Sequence, residues 1–235
     1  MIDHFIIIRF SISLDKVKIN FTDEYMDKRF FLFEKLTLLS LKAQSLKDFK
    51  CIILIDNNLK DKYYSKLKNL VHSLDYIIIH KLKEDETINN TNYLNKYRNP
   101  KSKYLIQTRL DDDDIIHRDI NLVFKNTINK HIEKYLNTFI SFRGGKYINY
   151  NGSEWRICRN TRDRMAIFFS LITEYSNNES IFNTNHEKAT NLKKIKMRNC
   201  WGVCNHDIGL SRRYQRFTFQ DRPIDYERLK TVFNL

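Results

Sequence analysis

The chain has 235 residues, 42 % of them apolar and 13 % aromatic, a balance that excludes disorder and leaves room for one domain with a sizeable core. Four cysteines (51, 158, 200 and 204) exclude a disulfide framework, and five Gly and two Pro provide no linker-like punctuation. The net charge of +13 suits a polyanionic or phosphorylated partner, but Lys-rich composition supplies much of it, so the charge alone names none.

In chain order, His4–Phe10 is a continuous apolar, β-branched run that predicts a buried strand. It is too short for a signal-peptide core or a membrane span, so a soluble, cytoplasmic protein in a reducing compartment is expected. Apolar spacing predicts a helix over Arg29–Gln44, a second strand over Cys51–Asp56 with Cys51 in the core, and a helix over Leu59–Leu74. A third strand follows over Tyr76–His80, a helix over Thr87–Arg98 and a fourth strand over Lys103–Thr108. This alternation predicts βαβ units, a parallel sheet and right-handed crossovers. In such sheets ligands bind beyond the carboxyl ends of the strands, which would gather Phe10, Asp56, His80 and Asp111 on one edge.

The second half departs from this pattern. Ile120–Leu136 predicts a helix and Thr138–Phe142 a strand. Lys146–Tyr150 and Glu154–Arg159 flank Asn151-Gly152, a strong hairpin signal. Met165–Tyr175 is apolar and ambiguous between strand and helix, and it closes on Glu174. Residues 188–216 carry eight Lys or Arg against the single acid Asp207, and Asp225–Leu235 predicts a short helix. No boundary or repeat divides residues 1–235, so one domain is expected. Its two halves are 1–116 and 117–235.

One stretch concentrates chemistry. Asp111-Asp112-Asp113-Asp114 follows Arg109 at the end of the fourth strand. Two like charges ~4 Å apart repel by up to ~4 kcal/mol at an effective dielectric of ~20, so water, raised pKa values, a neighbouring base or a cation must relieve them. A magnesium-type ion uses one or two carboxylates and takes the rest of its shell from phosphates and water. A solvated acidic turn is the alternative.

The order of these residues resembles a known family. The signals are Arg9-Phe10, Arg29-x-x-Leu32-Phe33-Glu34, Leu38-x-Ser40-x-x-x-Gln44, Asp48-Phe49 and Thr108-Arg109-Leu110-Asp111-x-Asp113-Asp114. Looser matches are Ser170-Leu171-x-x-Glu174, His186 and Trp201-x-x-x-x-His206. Together they resemble the rhamnosyltransferase family of GT-A-fold glycosyltransferases, and are similar to the GT-A domain of that kind in large algal viruses. The resemblance implies an α/β, Rossmann-like, mostly parallel central sheet flanked by helices, with a mixed α+β C-terminal half. It implies a nucleotide-sugar-binding half (1–116) and an acceptor-side half (117–235). It also implies a nucleotide-sugar donor, a glycan or glycoconjugate acceptor, and Mn2+ or Mg2+.

Carried onto this chain, Asp111 and Asp113 become the Asp-x-Asp pair, with Asp114 auxiliary to catalysis and Asp112 a filler. Arg9, Asp56, Arg109 and Asp111 would contact the donor. Asp111, Asp113 and either His206 (preferred) or His186 would hold the metal. Glu174 would be the general base that deprotonates the acceptor hydroxyl. Trp155 and Trp201 would stack on a sugar ring or fill core. Three readings compete: a zinc site from Cys158, Cys200, Cys204 and His206; a basic nucleic-acid-binding protein; and a metal-dependent phosphohydrolase or nuclease.

Overall fold

The computed structural model describes residues 1–12, 21–159, 167–206 and 222–235. The four N-terminal apolar runs are strands: β1 (Ile2–Phe10), β2 (Lys50–Ile55), β3 (Ile77–Lys81) and β4 (Tyr104–Asp111). They lie in the order β3-β2-β1-β4, all parallel. Their sequences do not alternate because both faces are covered. Ile6, Ile8 and Phe10 join the core beneath the N-terminal helices, while Phe5 and Ile7 join a second core on the opposite face.

The first crossover is helical from Asp23 to Lys42, as α1 (Asp23–Leu32), a π-helical turn (Phe33–Leu38) and α2 (Leu39–Lys42). It starts six residues before the predicted helix because the Thr22 side chain accepts a hydrogen bond from the Tyr25 N–H, capping the end. The next crossover carries α3 (Asp61–Val71). The helix expected over Thr87–Arg98 is reduced to a 3-10 segment, Asn92–Tyr97.

After β4 come β5 (Ile115–Ile116), α4 (Ile120–Ile128), β6 (Thr138–Arg143), β7 (Lys146–Tyr150), β8 (Trp155–Arg159) and β9 (Phe169–Glu174). Then follow β10 (Leu192–Lys196), β11 (Trp201–His206), β12 (Arg222–Ile224) and α5 (Tyr226–Val232). The helix expected to reach Leu136 breaks after α4, where His131 leaves helical geometry. The ambiguous segment is the strand β9, with Met165 and Ala166 outside the described residues, as is the 207–216 part of the basic segment.

β9 pairs antiparallel with β4 and with β6, and β10 runs parallel to β6, completing the order β10-β6-β9-β4-β1-β2-β3. A smaller sheet has the order β12-β8-β7-β11-β5. Its β7–β8 hairpin turns where expected, with Gly152 at φ +98°. No described helix is long and apolar enough to cross a membrane.

A buried polar chain runs through the centre. The fully buried His4 ring contacts Thr108 Oγ1 at 2.8 Å, and Thr108 contacts Ser170 Oγ at 2.7 Å. Burial, helped by nearby Lys125, holds His4 well below its ordinary value of 6.5, so the ring is neutral in the folded protein. The unfolded chain binds a proton here below that value and the folded chain does not. Stability contributed by His4 is therefore complete above pH 6.5 and lost as the pH falls below it. The expected slope is up to about 1.4 kcal/mol per pH unit. Urea unfolding of His4→Phe between pH 7 and pH 5 should show a flatter profile than the wild type, because a ring packed against Phe49, Phe124 and Phe168 is kept without a proton to gain.

Candidate active site

The period of two along β4 puts Gln107, Arg109 and Asp111 on one face. Arg9 of β1 lies in register with Asp111 and joins them. Asp111 Oδ1 accepts from Arg9 Nη2 at 3.1 Å, and Asp111 Oδ2 accepts from Arg109 Nη2 at 3.0 Å. Burial pushes the Asp111 carboxyl up, but Arg109 and Arg9 outweigh it and hold the group well below the usual carboxylate range. Both guanidinium groups lie over the Phe182 ring, at 5.2 Å for Arg9 and 5.9 Å for Arg109.

The turn after β4 is fixed from below by α1 and the π-helical turn and from the side by β11. Arg29 of α1 pairs with Asp112 and, at 2.9 Å, with Asp113 Oδ2. His206, the last residue of β11, brings Nε2 to 2.7 Å from the same Asp113 oxygen and 3.3 Å from Arg29 Nη1. Burial opposes ionisation of Asp113, but Arg29 and then His206 prevail and lower it. The Thr37 hydroxyl, in the π-helical turn, donates to the Asp114 carbonyl at 2.7 Å. Asp114 itself turns inward and accepts from the Cys204 N–H at 3.2 Å. Burial, with Asp113 and Asp111 close by, keeps its carboxyl well above the usual range, so it holds a proton to higher pH than its neighbours.

The family model described as "Putative rhamnosyl transferase" matches residues 8–198. The chain belongs to this family. Among solved structures it is similar to Staphylococcus aureus TarS 1–349 in complex with UDP-GlcNAc, with 11 % identity and a TM-score of 0.50. That match covers 87 % of this chain and 59 % of the TarS chain. The UDP complex of TarS 1–349 gives 11 % identity over 87 % of this chain and 61 % of that one, with a TM-score of 0.46. The chain therefore spans about three-fifths of these TarS chains. No curated protein sequence matches it. The fold is that of the GT-A glycosyltransferases.

Two expectations for this family member are corrected. Glu174 is in register with Tyr104, at the start of β4, whereas Asp111 is at its end. At ~3.3 Å per residue that places Glu174 about 23 Å from the acidic turn. The resemblance alone assigned Glu174 to the site; β9 runs antiparallel to β4, which carries its last residue to the opposite edge of the sheet. Glu174→Gln should leave kcat/KM within about twofold of the wild type, measured by steady-state kinetics. Asp112 is no filler: it is 2 % exposed and paired with Arg29.

The other candidates separate. Asp56 lies just beyond the end of β2 at the carboxyl edge, its Oδ1 accepting from the Asn58 N–H at 2.8 Å. His186 sits against the Phe169 ring, 6.3 Å between centroids. Trp201 is fully buried and donates to the Phe142 carbonyl at 3.1 Å; Trp155 stacks on Tyr150 at 4.3 Å and is 8 % exposed. Both tryptophans are core. Cys51 is also core, and its thiol is raised by burial. Cys158 and Cys200 belong to one apolar cluster and Cys204 to another.

Among the described residues no three His, Cys, Asp or Glu side chains converge as a ready-made metal cage. A hard ion of the Mg2+ or Mn2+ kind does not require one, since one or two carboxylates suffice alongside substrate phosphates and water. Asp113 suits that role. Its Oδ2 is taken by Arg29 and His206, and its Oδ1 has no hydrogen-bond partner among the described residues. Asp111 and His206 flank that oxygen's carboxylate but already have protein partners.

Arg29, Thr37, Gln107 and Phe182 were not singled out from sequence as site residues. Arg29 stood inside the family pattern without a role. A buried amide at Gln107, on the face of Arg109 and Asp111, was a readable signal; the segment carrying Phe182 gave none.

Proposed function

We propose that the protein transfers rhamnose from a nucleoside diphosphate donor to a hydroxyl of a glycan or glycoconjugate, with Mn2+ or Mg2+ as cofactor. The observation that carries this reading is the convergence of Arg9, Arg109 and the Asp111–Asp113 turn at the carboxyl edge of a GT-A sheet. UDP and UDP-GlcNAc in the TarS complexes support the class of donor.

In this reading the diphosphate lies against the two guanidinium groups, whose planar forks match phosphate oxygens. Asp111 keeps both forks aimed, because its oxygens accept from each. Asp56 marks the nucleoside side, one strand beyond Arg9. Asp113, with Asp111 and His206 beside it, would hold the cation. A bound divalent ion supplies Lewis-acid stabilisation of the charge that develops on the departing diphosphate. Asp114, turned inward, holds β11 and hence His206 against the turn.

The test is a panel of UDP-, GDP- and dTDP-sugars with and without manganese, read by release of nucleoside diphosphate. Metal-dependent turnover of at least one donor, greatest for a rhamnose donor, is expected. Cleavage of simple phosphate esters without any sugar-nucleotide turnover would overturn the reading in favour of a phosphohydrolase.

A further inference from the structure

We infer that Gln107 is a positioning residue for the donor site, acting through Phe182. The inference rests on the reading of Arg9 and Arg109 as the diphosphate-binding pair. Gln107 is fully buried in the middle of β4, and both ends of its amide are engaged. Its Nε2 donates to the Glu179 carbonyl at 2.7 Å, and its Oε1 accepts from the Ile181 N–H at 3.1 Å. These bonds clamp the backbone of 179–181 onto the sheet, 72 to 74 residues along the chain from Gln107.

The clamped segment leads into a 3-10 turn, Ile181–Asn183, whose entry is capped by Ser180 Oγ accepting from the Phe182 N–H at 3.3 Å. Ser180 also donates from that oxygen to the Ile88 carbonyl. Ile181 is buried, leaving the next side chain, Phe182, to lie over Arg9 and Arg109. A guanidinium held between a carboxylate edge and an aromatic face loses rotamer freedom before a ligand arrives, which lowers the ordering cost of binding. Gln107 thus sits two and four residues before Arg109 and Asp111 on the same face, and it fixes the ring that covers the pair.

The observable is coupling between the two positions. Phe182→Ala removes both cation–π contacts and should weaken UDP or dTDP binding about tenfold by calorimetry. Gln107→Met, nearly isosteric but unable to hold the 179–181 backbone, should weaken it by a similar factor. The double variant should be no worse than either single one. Ser180→Ala, a milder change to the same clamp, gives an intermediate loss if Gln107→Met does not fold. Amide hydrogen exchange at Ile181 and Phe182 in the ligand-free protein should speed up in Gln107→Met and Ser180→Ala while β4 and β9 stay protected. Additive losses in the double variant, or unchanged exchange at Ile181, would overturn the inference. Failure of the wild type to bind any nucleoside diphosphate would instead overturn the donor reading beneath it, with the exchange result still deciding whether Gln107 sets Phe182.

Discussion

Arg29→Ala is expected to cost about 3–5 kcal/mol of stability, because it strips the partner from a buried charge and does not remove a pair. Arg29 is 8 % exposed, and the carboxylate it would abandon most completely, Asp112, is 2 % exposed. Asp112 Oδ2 already lacks a hydrogen-bond partner among the described residues, and Arg29 is the cation paired with its other oxygen. Asp113 would keep His206 as a neighbour. Arg29→Lys should recover only part of the loss, since one ammonium cannot reproduce a planar fork spanning two carboxylates. Adding Asp112→Asn to Arg29→Ala should regain stability. The check is the urea midpoint of the four proteins at pH 7. A loss below about 1 kcal/mol for Arg29→Ala would place the pair among surface ion pairs of little worth.

Asp113→Ala should have the opposite signature. Its side chain is 17 % exposed, and its removal leaves Arg29 still paired with Asp112. Stability should change by no more than about 1.5 kcal/mol, in the range of an ordinary point substitution. Activity should fall by about 10²–10³ in kcat/KM, the scale of losing one preorganised electrostatic contact to the transition state. Asp112→Ala, one residue away, should cost more stability and less activity than Asp113→Ala. Steady-state kinetics and urea unfolding on the same two variants separate the roles. Equal effects on both measurements would merge Asp112 and Asp113 into one structural unit.

The contrast between these neighbours shows where sequence reading stopped. The uninterrupted apolar runs of β1, β2 and β4 reveal strands covered on both faces, and their alternation with helices places the acidic run at a carboxyl edge. The Asn151-Gly152 turn is legible because few residues reach positive φ without strain. Direction is not legible in β9: an apolar run reads the same whichever way it pairs, so Glu174 could not be assigned to an edge. The helix expected over Thr87–Arg98 was lost because tertiary contacts decide such marginal segments. There Tyr93 and Leu94 are buried within a single 3-10 segment. Among the four aspartates, spacing alone could not say which carboxylates face solvent. That division is made by Arg29 and Cys204, 83 residues before and 90 residues after the aspartates they contact.

The most direct measurement is calorimetric titration of nucleoside diphosphates and their sugars, with and without manganese, into the wild type, Arg9→Ala and Asp113→Ala. The wild type should bind at least one nucleoside diphosphate more tightly with manganese. Arg9→Ala should weaken binding whether or not metal is present, and Asp113→Ala should abolish only the gain due to manganese. Equal binding by all three proteins, or no binding by the wild type in the presence of metal, would contradict a donor site built on Arg9, Arg109 and the Asp111–Asp113 turn.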